Sequence, residues 1–183
     1  MRQLDVIGSG PDTVVLSGLC ARCPYSAGGC CVAPPRYDLS DVARVVAHGG
    51  RDWLLAQLAA KRIRQAEGGY WLTLARPKRP LGEGGPREAA CVFLTSSGCS
   101  IAHEQKPATC NYYVCDAAVA EDAAQAPTRR EAHERLVQFF VTLDAKLHEQ
   151  VTNHWGDAFA FDAPHLDWLA EQYREQVAAF RGI

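Results

Sequence analysis

The sequence predicts a mainly α fold: a single small domain, residues 1–183, of about five helices with a short β-hairpin. Three observations predict it. Leu136, Phe140, Leu143, Leu147 and Val151 recur at spacings of four, three, four and four, the period of one helix face. Strand-like alternation is confined to short stretches, residues 69–77 and 89–101. Hydrophobic residues make up 48% of the chain and charged residues 22%, which supplies a core and argues against global disorder.

At the N-terminus, Asp5, Gly8, Gly10, Pro11 and Asp12 break every apolar run. Neither a signal peptide nor a membrane span of roughly 18–20 apolar residues is expected, so the expected location is cytoplasmic. Ser40 reads as the N-cap of a helix over "DVARVVAH", with Val42, Val45 and Val46 on one face and Gly49-Gly50 as the stop. Asp52 then caps "WLLAQLAAKRIRQ", with Leu54, Leu55 and Leu58 facing inward. Its basic end, Lys61, Arg62 and Arg64, suits the negative pole of the helix dipole and reads as a solvated helix end, not an anion site.

"GYWLTLARP" alternates like a strand. "RPKRPLGEGGPRE" reads as a mobile Pro/Gly-rich surface loop whose four basic residues suit an acidic partner. "AACVFL-TSSG-CSI" reads as two short strands around a turn, the expected hairpin. Residues 129–183 form a C-terminal helical pair: one helix from Arg129 to about Val151, and one opened by Pro164 with Leu166, Leu169, Ala170, Tyr173, Val177 and Phe180 on its stripe. The two should pack antiparallel.

The chemistry-bearing residues are the cysteines. Eight fall in two groups of four: Cys20, Cys23, Cys30 and Cys31 within residues 20–31, then Cys91, Cys99, Cys110 and Cys115 within residues 91–115. The 59 residues between the groups and the last 68 hold none, so the groups are expected to meet in space. Thiols in a reducing compartment serve metals or catalysis more often than disulfides, and a chain of this length does not need staples. Thiolates are the soft ligands that zinc and iron–sulfur clusters take. Cys20-x-x-Cys23 is a natural chelating pair, and Gly28 and Gly29 let the chain turn sharply before Cys30. In an extended chain the adjacent Cys30 and Cys31 would point to opposite sides and serve different metal positions. The second group has spacers of 7, 10 and 4 residues, with no second Cys-x-x-Cys knuckle of a zinc ribbon. That tilts the reading toward iron–sulfur or multinuclear binding, although the spacings match neither ferredoxin pattern. The domain is therefore expected to be organised around a cysteine-ligated metal centre that draws on all eight thiolates.

"CARCPYSAGGCC", then "YDLSDVARVV", then "CVFLTSSGCSIAHEQKPATCNYYVC" together resemble the YkgJ-like cysteine-cluster family of zinc- or iron-chelating proteins. Cys91, Phe93, Leu94, Gly98, Cys99, Ile101, Pro107 and Cys110 match its second motif. Lys106 and Asn111 stand where the family often has Arg, "AHEQ" replaces the usual Tyr-Glu and is one residue longer, and "PYSAGG" is longer than the usual four-residue spacer. The resemblance covers residues 20–46 and 91–115, about half the chain. It implies a bound zinc or iron centre. Larger relatives, the flagellin lysine N-methylases, carry a similar cysteine signature and are associated with an iron–sulfur cluster. Their activity does not carry over, because the chain is short and has no nucleotide-binding glycine fingerprint.

The remaining candidates are weaker. His103 lies inside the second group as a possible ligand or second-layer donor, though a solvent-facing loop histidine is the plainer reading. Glu104 beside it is a candidate acid or base near the metal. Tyr112 and Tyr113 are expected to shield the centre from water, and His133, His148, His154 and His165 to be solvated. Neither a Ser/His/Asp set nor a phosphate-cradling loop is present, and a net charge of −2 at a pI near 6.3 argues against a nucleic-acid partner. The leading expectation is an iron–sulfur protein, with one or two [4Fe–4S] clusters and an electron-transfer, sensing or enzyme-accessory role. One alternative is a zinc module that binds a protein partner. The other is an iron-dependent enzyme with an open coordination position.

Overall fold

A computed structural model describes residues 4–8, 10–17, 29–80, 87–96, 98–113, 115 and 126–181. Cys20 and Cys23, the loop tip 81–86 and the side chains of Cys30 and Phe180 lie outside that description.

Five helices are described: α1 (Leu39–Ala47), α2 (Arg51–Ala59), α3 (Ala108–Tyr112), α4 (Ala126–His154) and α5 (Ala163–Arg181). The strands form four separate antiparallel pairs where one hairpin was expected. They are β1 (Leu4–Ile7) with β2 (Val14–Ser17), β3 (Ile63–Gln65) with β4 (Leu72–Leu74), β5 (Lys78–Pro80) with β6 (Arg87–Ala89), and β7 (Leu94–Thr95) with β8 (Gly98–Cys99). The last pair is the expected hairpin; Leu94 opposes Cys99, and Gly98 supplies the turn with φ 109. The stretch read as a mobile loop, residues 76–88, instead contains β5 and most of β6, which pair with each other.

Helix α1 is the centre of the molecule: every residue from Leu39 to Val46 is buried. It begins two residues earlier than expected, with Asp38 and not Ser40 as N-cap. Its free N–H groups are taken by carboxylates: Asp41 Oδ2 accepts from Asp38 N–H at 3.2 Å, and Asp144 of α4 accepts from Ser40 N–H at 3.0 Å. It stops where glycine lets it. Gly49, at φ 84, and Gly50 donate to the carbonyls of Val46 and Val45, both at 2.9 Å, which closes a Schellman turn.

Helix α2 begins with Gly50, not Asp52, as its N-cap and stops at Ala59, short of the expected Gln65. Lys61 takes the left-handed conformation at φ 56, and the N–H groups of Lys61 and Arg62 return to Leu58 and Gln57 at 3.0 Å. The chain is thereby freed to enter β3, so "IRQ" is strand rather than helix end. Β-branched Ile63 sits in the core there, fully buried.

The main core joins α1, α2, α4 and α5 with the inner residues of β3 and β4. Leu143, Leu147 and Val151 of α4 and Leu166, Leu169, Ala170, Tyr173 and Val177 of α5 are buried as their spacing predicts. Each such Leu removes about 1.5–3 kcal/mol of apolar surface from water. The Gln150–Gln172 hydrogen bond and the His154–Trp168 stack run in opposite sequence directions, so α4 and α5 pack antiparallel. A smaller core packs Val15 of β2 and Leu136 and Phe139 of α4 around Ala108, Tyr112 and Phe140. No helix among the described residues is long and apolar enough to cross a membrane.

Candidate functional site

Among the described residues, the last cysteine of the first group meets the first cysteine of the second through the backbone. Cys31 ends the first group inside a 3-10 turn, Gly29–Val32, and its carbonyl accepts the N–H of Cys91 at 2.8 Å. Cys31 is half-buried against the main core, and Cys91 is buried within it. The 3-10 turn also corrects an expectation. Cys30 and Cys31 do not lie on an extended chain, so the alternation that sent them to opposite sides does not apply.

The rest of the second group is spread along residues 98–115. Cys99 is exposed in β8, Cys110 is exposed within α3, and Cys115 is half-buried. The Tyr37 phenol is perturbed electrostatically by Cys91 and Cys110. Burial first, and then the charges of Cys110, Asp41 and Cys91, push that phenol well above its usual pKa, against the opposing pull of Arg44. Among the described residues no three His, Cys, Asp or Glu side chains are grouped to hold a metal. The donor chemistry suits zinc or iron, and the groups adjoin at Cys31 and Cys91, but eight convergent thiolates are not displayed.

Helix α1 and the residue just before its N-cap carry a set of residues that sequence reasoning missed. Asp41 and Arg44 of α1, with Tyr37, which bridges to Leu72 ahead of the helix, all reach the loop that leads into Cys110. Tyr37 Oη donates to the Gln105 carbonyl at 2.9 Å, Asp41 Oδ1 accepts the Ala108 N–H at 2.6 Å, and Arg44 Nη2 donates to the Lys106 carbonyl. Three side chains thus satisfy three backbone groups of four successive residues. All three are buried, and Arg44 Nε has no hydrogen-bond partner. Burial pushes the Asp41 carboxyl up to about 7; the Ala108 N–H, Arg44 and the Asp38 N–H pull the other way. A signal was present: in "YDLSDVARVV" a Tyr, an Asp and an Arg stand at helical spacing beside valines, which places polar groups inside an apolar segment.

Asn111 fastens the same loop from its other end. It is buried, its Nδ2 donates to the His103 carbonyl at 2.8 Å, and its Oδ1 lies 3.4 Å from His103 Nδ1. His103 itself is exposed, with Lys106 Nζ 3.5 Å from its Nδ1, and Glu104 is exposed beside it. Tyr112 is buried. It stacks on Phe140, with ring centres 5.7 Å apart, and meets the edge of His133, while Tyr113 is exposed. The helix histidines are not simply solvated either: His148 packs on Tyr70, His154 on Trp168, and His165 on Trp155 and Phe159.

Compared with known protein families, curated proteins and solved structures, the chain matches none.

Proposed function

We propose that the chain is a cysteine-cluster metalloprotein of the YkgJ-like kind, in which the groups at residues 20–31 and 91–115 ligate a shared metal centre. One observation carries the reading: the last cysteine of one group and the first of the other, with 59 residues between them in sequence, are joined by the Cys31–Cys91 backbone hydrogen bond. The clamp of Tyr37, Asp41 and Arg44 supports it, because buried hydrogen-bonding groups are used to fix the loop that carries Cys110. An all-thiolate donor set with no zinc-ribbon knuckle favours an iron–sulfur cluster, [4Fe–4S] in the first instance, over zinc. The role that goes with it is electron transfer, sensing or service to another enzyme. A cytoplasmic location belongs to the same reading, since the thiols must stay reduced to bind.

Anaerobic purification followed by an absorption spectrum and metal analysis tests it. Broad absorption near 400 nm with iron and acid-labile sulfide is the expected result. A colourless protein with stoichiometric zinc replaces the cluster by a zinc module. A protein that takes up neither metal overturns the proposal.

A further inference from the structure

Charge is distributed very unevenly along this chain. Residues 61–80 carry six Lys or Arg and one Glu, a net of +5; the whole chain is −2, so the other residues sum to −7. The sequence assigned the first of these cations to a solvated helix end. The fold leaves Lys61 and Arg62 just past the end of α2, Arg64 on β3, Arg76 just beyond β4 and Lys78 and Arg79 on β5.

Ile63, Leu72 and Leu74 point into the core, so the alternate residues of β3–β4 face outward. Arg64 opposes Thr73, and the Arg62 carbonyl accepts the Ala75 N–H at 2.8 Å. Arg64 thus stands exposed on the outer face opposite Thr73, while Arg62, just before β3, is half-buried with its guanidinium over Phe93. Lys61 precedes that face, Arg76 and Lys78 leave it, and all three are exposed. Among the described residues none of these five cations pairs with a carboxylate. Glu67, in the turn between the strands, is the one acid of the segment. An unneutralised cluster of this kind raises the local concentration of anions and steers their approach.

We propose that the outer face of β3–β4, with the start of β5, docks an acidic segment of a partner polypeptide. The arginine forks match carboxylates in bidentate geometry. The face is roughly 10 Å long, at about 3.3 Å per residue, which suits a few acidic side chains. Nucleic acid suits it less, because the neighbouring aromatic faces are taken. Arg36 lies 4.9 Å over Trp71 and Arg62 4.4 Å over Phe93. Gly69 lies so close to Trp71 that a Cβ there would come within 1.8 Å of the ring. Bases would find no open stacking platform. This proposal does not depend on the metal centre.

The test uses the full chain and a fluorescein-labelled oligo-glutamate peptide, followed by anisotropy. Binding should weaken steeply as salt rises. Arg64→Glu/Arg76→Glu/Lys78→Glu should weaken it at least about tenfold. The same charge change on α4, Arg130→Glu/Arg135→Glu/Lys146→Glu, should weaken it far less. Circular dichroism checks both folds; should the sheet variant unfold, the exposed-site change Arg64→Gln carries the comparison. Absence of peptide binding, or equal loss in the two variants, overturns the proposal. Tighter binding of single-stranded RNA of matched charge, lost in the sheet variant, overturns it in favour of nucleic acid.

Discussion

The carbonyl of Cys31 accepts the N–H of Cys91 at 2.8 Å, and this contact ties the last cysteine of the first group to the first of the second. Around it the chain is short on regular structure. A 3-10 turn precedes it, and the two-residue strands β7 and β8 follow. By contrast α4 and α5 carry long apolar stripes of their own.

Metal removal should therefore act unevenly. In hydrogen exchange, chelation is expected to lower protection across residues 20–31 and 91–115, the Cys91 amide included, while residues 129–180 keep most of theirs. Equal protection with and without metal in both cysteine segments would show that metal does not order them.

The Asp41 carboxyl gives a pH signature. Its folded pKa is raised from 3.8 to about 7 by burial, so the folded state holds a proton that the unfolded state has lost. That contribution to stability is full below the unfolded value and is lost as pH rises through the folded one. Thermal melts of the metal-free protein should fall as pH rises from about 4 to about 7, by an amount on the order of a few kcal/mol. Asp41→Asn keeps an oxygen for Ala108 N–H and cannot ionise, so its melts should be flatter over the same window. Identical profiles for the two proteins would remove Asp41 as the cause.

The clamp should show graded costs. Tyr37→Phe removes one hydrogen bond to Gln105 and is expected to cost about 1 kcal/mol, plus the penalty of a buried carbonyl left unpaired. Arg44→Ala also empties a buried site and strands the Lys106 carbonyl, so it should cost more, about 3 kcal/mol or above. Urea unfolding of the two variants measures both. A surface-like change of under about 0.5 kcal/mol at Arg44 would contradict its burial.

What could be read from the sequence follows from where signals are local. The stripes of α4 and α5 were legible because Leu143, Leu147, Leu166 and Leu169 repeat at helical spacing, and the end of α1 because Gly49 announces it. The end of α2 was not, because a lysine occupies the left-handed position at 61 where glycine is the usual sign. The basic cluster was consequently placed wholly on a helix end; Lys61 and Arg62 do follow the end of α2, but Arg64 lies on β3. Pairs β1–β2 and β5–β6 were missed because each strand is only three or four residues long, flanked by Gly and Pro that read as loop. At the candidate site the cysteines declared themselves by type and spacing. Their supports did not: Tyr37, Asp41 and Arg44 act on backbone atoms of Gln105, Lys106 and Ala108, partners that side-chain identity does not reveal.

The central claim, one metal centre drawing on both groups, is tested most directly by metal content per chain in paired variants. Cys20→Ser/Cys23→Ser disables the first group alone, and Cys91→Ser/Cys110→Ser the second alone. Each pair should lose most of the iron and sulfide, or of the zinc, that the unaltered protein holds, because thiolates from both groups ligate the same centre. Full metal content in either pair, with the fold intact by circular dichroism, would contradict the account.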